Sequence, residues 1–136
     1  MKYVQARNVL YKAVNTIATQ VGARVIWDHL ASSVPGEMIP WIRPSIIHTD
    51  GRQASLSCYA GTMRYDRSGL LVIQVFVPAG GQSGAAYETA QYFIDGLQAF
   101  RHDTVWLRNI KMVDVGIDGA FSHVNVSANF RFDQVQ

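Results

Sequence analysis

The strongest hydrophobic pattern in the chain lies between residues 70 and 100. Leu71, Ile73, Val75 and Val77 alternate with Leu70, Val72 and Phe76, and only Gln74 interrupts the apolar run. A segment apolar on both faces predicts a central strand covered on both sides. Pro78 has no N–H to give a ladder, so the strand is expected to stop there. Gly80, Gly81 and Gly84 allow a sharp turn, and Ser83 is placed to cap a following helix. On that helix Ala86, Ala90, Phe93, Leu97 and Phe100 recur at alternating offsets of four and three, which is one helical face. That face is expected to lie on the central strand, with Glu88, Gln91, Asp95 and Gln98 turned away.

The flanking patterns are weaker but ordered. Residues 3–21 predict a first helix with Leu10, Val14, Ile17 and Val21 as its stripe, ended by Gly22. Residues 23–28 predict a short strand, and 29–40 a loop marked by Pro35-Gly36. Pro44 restricts the PWIRP segment to a sheet edge or to the approach to a strand beginning near Ile46 and Ile47, and Asp50-Gly51 predicts a turn. From Gln53 to about Tyr65 apolar and polar residues alternate, with Leu56, Cys58 and Ala60 on one face. This half-buried strand is expected to form a hairpin with the central strand through a turn at 66–69. After the second helix, Arg101 and His102 suit a helix C-terminus. Residues 105–115 predict a strand with a bulge near Asn109, and 116–119 a hairpin turn. In the last strand Val124, Val126, Ala128, Phe130 and Phe132 alternate with His123, Asn125, Ser127, Asn129, Arg131 and Asp133. Together these elements predict a single α+β domain over 1–136: a mainly antiparallel, possibly mixed, sheet with two helices on one face.

Composition narrows the classes. The chain has 136 residues, 49% hydrophobic and only 16% charged, below the roughly 25% usual for soluble domains. With its six Tyr, six Phe and three Trp, this fits either a well-filled core or apolar surface covered by a partner. The net charge is +2, and the basic residues are dispersed, unlike a nucleic-acid footprint. A lone cysteine, Cys58, excludes an intrachain disulfide and fits a reducing compartment. No long apolar run predicts a membrane span, and the first residues lack a signal-peptide core, so synthesis is expected in the cytoplasm.

Candidate chemistry is sparse. The 78–84 glycine loop precedes a helix N-terminus, a place where phosphate can bind. A Walker A loop, however, ends in Gly-Lys-Ser/Thr, whereas this one ends in Gly84-Ala85-Ala86; a Rossmann fingerprint lacks its first glycine at Ala79. His29, His48, His102 and His123 have no metal-ligand spacing. Cys58 shares a strand face with Leu56 and reads as a packed thiol, and Asp114, Asp118 and Asp133 share no evident pocket. No catalytic, cofactor-binding or metal-ligating residue is therefore assigned. Arg64, Asp66 and Arg67 read as the tip of a hairpin: either an exposed turn kept soluble by charge or a polar contact with a neighbouring subunit.

Taken in order, PWIRPSIIH, SLSCYAGTMRYDRSGLLVIQVFVPAGGQSGAA and VNVSANFRF resemble the tail terminator (tail completion, lambda minor tail protein U-like) family of long-tailed phages. Gly69, Leu71, Val72, Gln74, Val75, Phe76, Pro78, Gly80 and Gly84 match a block frequent in that family, although the glycine spacing differs. The resemblance runs over nearly the whole chain and is most specific at residues 60–100. It implies a structural virion protein rather than an enzyme, made in the host cytoplasm and resident at the head-proximal end of the tail. Such proteins form a ring, usually a hexamer, on the last ring of the tail tube. They stop tube polymerisation and present a surface for head joining, so the implied partners are further copies of the chain, the major tail tube protein and a head completion or connector protein. No cofactor, membrane or sequence-specific nucleic acid is implied. The block residues look like fold-makers, so no interface residue is carried over, and Arg64, Asp66 and Arg67 remain interface candidates from the residue pattern alone.

Two other readings stay open: a different head–tail neck or head completion protein, and a small-molecule module binding phosphate through the glycine loop. A ligand at 100 times its Kd stabilises a fold by roughly 2.7 kcal/mol. If the loop is purely structural, millimolar ATP or NAD should leave the melting temperature unchanged; a clear rise would favour the binding module.

Overall fold

A computed structural model describes residues 2–27, 39–53, 64–78, 84–118 and 121–135. Its elements are α1 (Tyr3–Val21), β1 (Arg24–Val25), β2 (Trp41–Gln53), β3 (Arg64–Pro78), α2 (Ala85–Gln98), β4 (Val105–Asp118) and β5 (Phe121–Val135). The strands form one sheet in the order β1-β2-β3-β5-β4. Only β1 pairs in parallel, with β2; the other pairs are antiparallel. α1 lies over β1 and β2, and α2 lies over β3, β5 and β4. The architecture is thus α+β with a mixed sheet and both helices on one face, as the patterns predict.

The core forms where the helix stripes meet the inward residues of the two central strands. Leu71, Ile73 and Val75 of β3 stand opposite Ala128, Val126 and Val124 of β5, and all six are essentially inaccessible. Leu10, Val14 and Ile17 of α1 join them, with Ala86, Ala90, Phe93 and Leu97 of α2. Each large aliphatic or aromatic side chain buried in this way contributes roughly 1.5–3 kcal/mol. Gly22 ends α1 in the left-handed region at φ 75°, and the Ala23 N–H reaches back to the Ala18 carbonyl at 3.0 Å. At Gly69 the ring of its cross-strand partner Phe130 occupies the space where a Cβ would stand.

Several boundaries differ from the sequence expectation, each for a tertiary reason. β2 begins at Trp41, not near Ile46, and carries Pro44 inside it. The Ile26 N–H donates to the Ile42 carbonyl at 2.8 Å. The next rung of that parallel ladder would need an N–H at position 44, so the pairing with β1 ends there while β2 continues along β3. Asp50 and Gly51 do not turn the chain; they pair with Ser68 and Arg67, just after a register shift between His48 and Asp50. Residues 66–69 are likewise no turn but part of the continuous strand β3. Their turn preference is outweighed because β2 and β5 satisfy their backbone groups on both flanks. Gly116 to Asp118 belong to β4, which pairs with β5 as far as Asp118 and Phe121. The expected bulge near Asn109 is present: Asn109 has φ 54°, and the register shifts between Arg108 and Lys111. The N-cap of α2 is Gly84 rather than Ser83. Ser83, Gly80, Gly81 and Cys58 lie outside the described residues.

Phe93 is fully buried at the centre of the α2 stripe. Phe93→Ala should lower stability by roughly 3–5 kcal/mol in chemical denaturation, the range for a truncated core Phe. A near-neutral result would contradict the packing of α2 on the sheet.

Candidate docking surfaces on the sheet

The sheet face opposite the helices is divided in two. At one end Trp41 of β2, Phe76 of β3 and His123 of β5 stand directly across from one another. Their rings form a stack, with centroids 4.0 Å apart for Trp41–Phe76 and 4.2 Å for Phe76–His123. Phe121 meets Trp41 edge-on, and Ile26 completes this second apolar cluster. Alternation sets His123 among the polar residues of β5, where a solvated histidine is the ordinary case; the stack buries it instead. Among the described residues, Trp41 Nε1 and His123 Nε2 have no hydrogen-bond partner. Local alternation placed these residues on one face but carried no signal that their rings would stack, because the stack depends on inter-strand register.

Towards the other end the same face is polar. A cleft of about 590 Å³ is lined by Thr49, Asp66, Ser68, Leu70, Arg108 and Arg131, among others. The Arg131 guanidinium lies over the Trp106 ring, 4.7 Å from its centroid.

The three interface candidates from the sequence do not form one patch. Successive strand residues point to opposite faces, so Asp66 and Arg67 are separated by the sheet. Asp66 stands on the open face opposite Asp133, with its Oδ1 buried and lacking a hydrogen bond among the described residues. Arg67 is on the helix side. Its Nε donates to Gln134 Oε1 at 3.0 Å, and its guanidinium lies over the rings of Tyr3 and Tyr65. The guanidinium also fills the space above Gly51, where a Cβ would collide with it. Arg67 is therefore an internal clasp joining the start of α1 to the ends of β3 and β5, not a charged hairpin tip. For Arg64 only the strand backbone, paired with Val135, is described.

Exposed apolar side chains gather instead at the flanks. On the β4 side they are Trp106, Val113, Val115 and Ile117, the last 76% exposed, with Tyr87 and Tyr92 on α2. Among the described residues, Tyr3 and Val4 at the start of α1, and Ile47 on β2, are the others. The Tyr87 hydroxyl donates to Asp114 Oδ2 at 2.6 Å, tying α2 to β4; this bond to a carboxylate pushes the phenol above its ordinary pKa. The β4 flank left only one trace in the sequence, the slip in alternation along 105–115.

Other candidate groups are dispersed. Asp114 lies on the helix side and Asp133 on the open face. Among the described residues, no group of three or more His, Cys, Asp or Glu could hold a metal, and no helix is long and apolar enough to cross a membrane. Residues 79–83 of the glycine loop lie outside the described residues.

No family model matches the chain, and no curated protein does. Solved structures do: 26 chains match. One of them covers 93% of this chain and 94% of its own length, with a TM-score of 0.61 at 16% identity. At that identity the likeness shows the fold alone.

If Arg67 is a clasp, Arg67→Ala should lower stability by roughly 1–3 kcal/mol, the scale of a lost charge-assisted hydrogen bond. Thermal or urea unfolding measures this; an unchanged midpoint would return Arg67 to the exposed surface.

Proposed function

We propose that this protein is a phage tail terminator: it forms a ring, hexameric in the family it resembles, on the end of the tail tube. The ring stops tube polymerisation and offers the surface to which the head joins. The observation that carries the reading is the sequence block from Gly69 to Gly84, of which residues 69–78 lie in β3. Residues 69–78 lie in a strand paired on both flanks, which supports reading them as fold-makers.

The mechanism asks for matching surfaces rather than a reaction. One face of the ring is complementary to the tube subunit and the opposite face is not, so growth ends when the ring is seated. Within the ring each subunit contacts two neighbours, and a closed cyclic assembly of identical subunits needs two different, mutually complementary patches on each. The chain supports this with apolar side chains exposed on unlike flanks: Val115, Ile117 and Tyr87 on one, Tyr3 and Val4 on the other. The protein is made in the host cytoplasm and ends in the virion, at the head-proximal end of the tail.

Electron microscopy of lysates from a phage lacking the functional protein tests the role. Tails should grow past their normal length and fail to join heads. Tails of normal length, already joined to heads, would exclude it.

A further inference from the structure

The open face of the sheet gathers cations that are dispersed in the sequence. Arg131 of β5 stands opposite Trp106, and Arg108 of β4 stands opposite Asn129, both on the face away from the helices. Strict alternation would turn Lys111, three residues beyond Arg108, to the helix side. The bulge at Asn109 prevents this. Lys111 stands opposite Ser127, two residues from Asn129, and so shares the open face with Arg108. Arg108, Lys111 and Arg131 are all exposed, and among the described residues none has a carboxylate partner. Arg43 of β2, opposite Gln74, adds another cation across the sheet. Gln74, Asn125, Ser127 and Asn129 make an uncharged polar floor between them. Asp66 and Asp133 stand one step beyond Arg131, at the end of the face, each with one carboxylate oxygen buried.

We propose that this face binds single-stranded nucleic acid without sequence preference. Charge complementarity selects a polyanion. Lys111 and Arg108 are set two residues of the partner strand apart, about 7 Å, and Arg131 continues the row diagonally towards Trp106. That separation is close to the one between neighbouring phosphates of a single strand, so a sugar–phosphate chain laid along β4 meets a cation at each step. The cleft of about 590 Å³ beside Arg108 and Arg131 gives the chain room. Trp106, 41% exposed and backed by the Arg131 guanidinium, offers a ring to an unstacked base. A duplex keeps its bases paired inside and has nothing to lay on that ring. An acidic polypeptide would match the charges but not the indole. Contacts to phosphates and to the flat face of a base are common to all sequences, which is why no preference among them is expected. Neither a ring nor a tail tube is needed for this binding.

Fluorescence anisotropy of a labelled oligothymidylate of about 20 nucleotides, titrated with the full chain, tests this. Binding is expected with a Kd on the order of 10⁻⁶ to 10⁻⁴ M near physiological salt. About three phosphate contacts give a slope of roughly −2 for log K against log salt concentration. Arg108→Ala with Lys111→Ala and Arg131→Ala should weaken binding by about tenfold or more and flatten the slope towards zero. Trp106→Ala should weaken it by roughly fivefold or more and leave the slope unchanged, and Trp106→Phe should keep most of the affinity. Lys2→Ala with Lys12→Ala, on the helix side, should change it by less than about twofold. Melting curves establish that the variants are folded. Should the triple variant melt early, the exposed Lys111 changed alone, Lys111→Glu, carries the same test through a weaker Kd and a shallower slope. No binding at low salt overturns the proposal, as does a helix-side pair that weakens binding as much as the sheet variants. A Trp106→Ala variant that binds as well as the unaltered chain also overturns it. So does a duplex of the same length that binds as tightly, which would make the ligand double-stranded. Polyglutamate that displaces the strand at equal charge overturns it in favour of an acidic protein partner.

Discussion

Everything in this domain depends on β3 being paired along both flanks. Its register with β5 is unbroken from Arg64–Val135 to Pro78–Phe121, and β2 covers the other side from Tyr65 to Phe76. The register irregularities fall in β4 and in the part of β2 beyond its pairing with β1, where each strand has one neighbour, and none falls between β3 and β5. The reason is economy of hydrogen bonds. An extra residue in an inner strand disturbs two ladders and leaves buried groups unpaired, whereas in an outer strand it disturbs one and the displaced groups can reach water. The unbroken central pair holds Leu71, Ile73 and Val75 level with Ala128, Val126 and Val124, and this gives the two helices a continuous apolar bed.

The same register organises the open face. Trp41, Phe76 and His123 stack because their strands bring them directly opposite one another, not because they are near in sequence. Burying the aromatic end while leaving the Asp66–Arg131 end polar gives the two ends of one face different chemistry. A protein that must meet one partner and refuse another can use such asymmetry, since discrimination comes as much from mismatched surfaces as from matched ones.

Arg67 illustrates how a charged residue changes meaning with context. In a hairpin tip it would be a solvated cation open to a neighbour. In the strand it touches Tyr3, Tyr65 and Gln134 and closes over Gly51, so its long side chain packs as much as it bonds.

Periodicity by itself determined the two helices, their buried stripes, the end of the central strand at Pro78, the inward face of β5 and the bulge at Asn109. These rest on local rules: a repeat of 3.6 or 2, a proline without an N–H, and an Asn that tolerates positive φ. Only the tertiary structure decided whether Asp50-Gly51 and the 66–69 segment would turn or extend. Their local preference for a turn is weak beside the backbone hydrogen bonds that neighbouring strands supply, and those strands come from distant parts of the chain. The aromatic stack and the Arg67 clasp were illegible for the same reason. Each joins residues from different elements, and the register and helix placement that bring them together exist only once the sheet has formed.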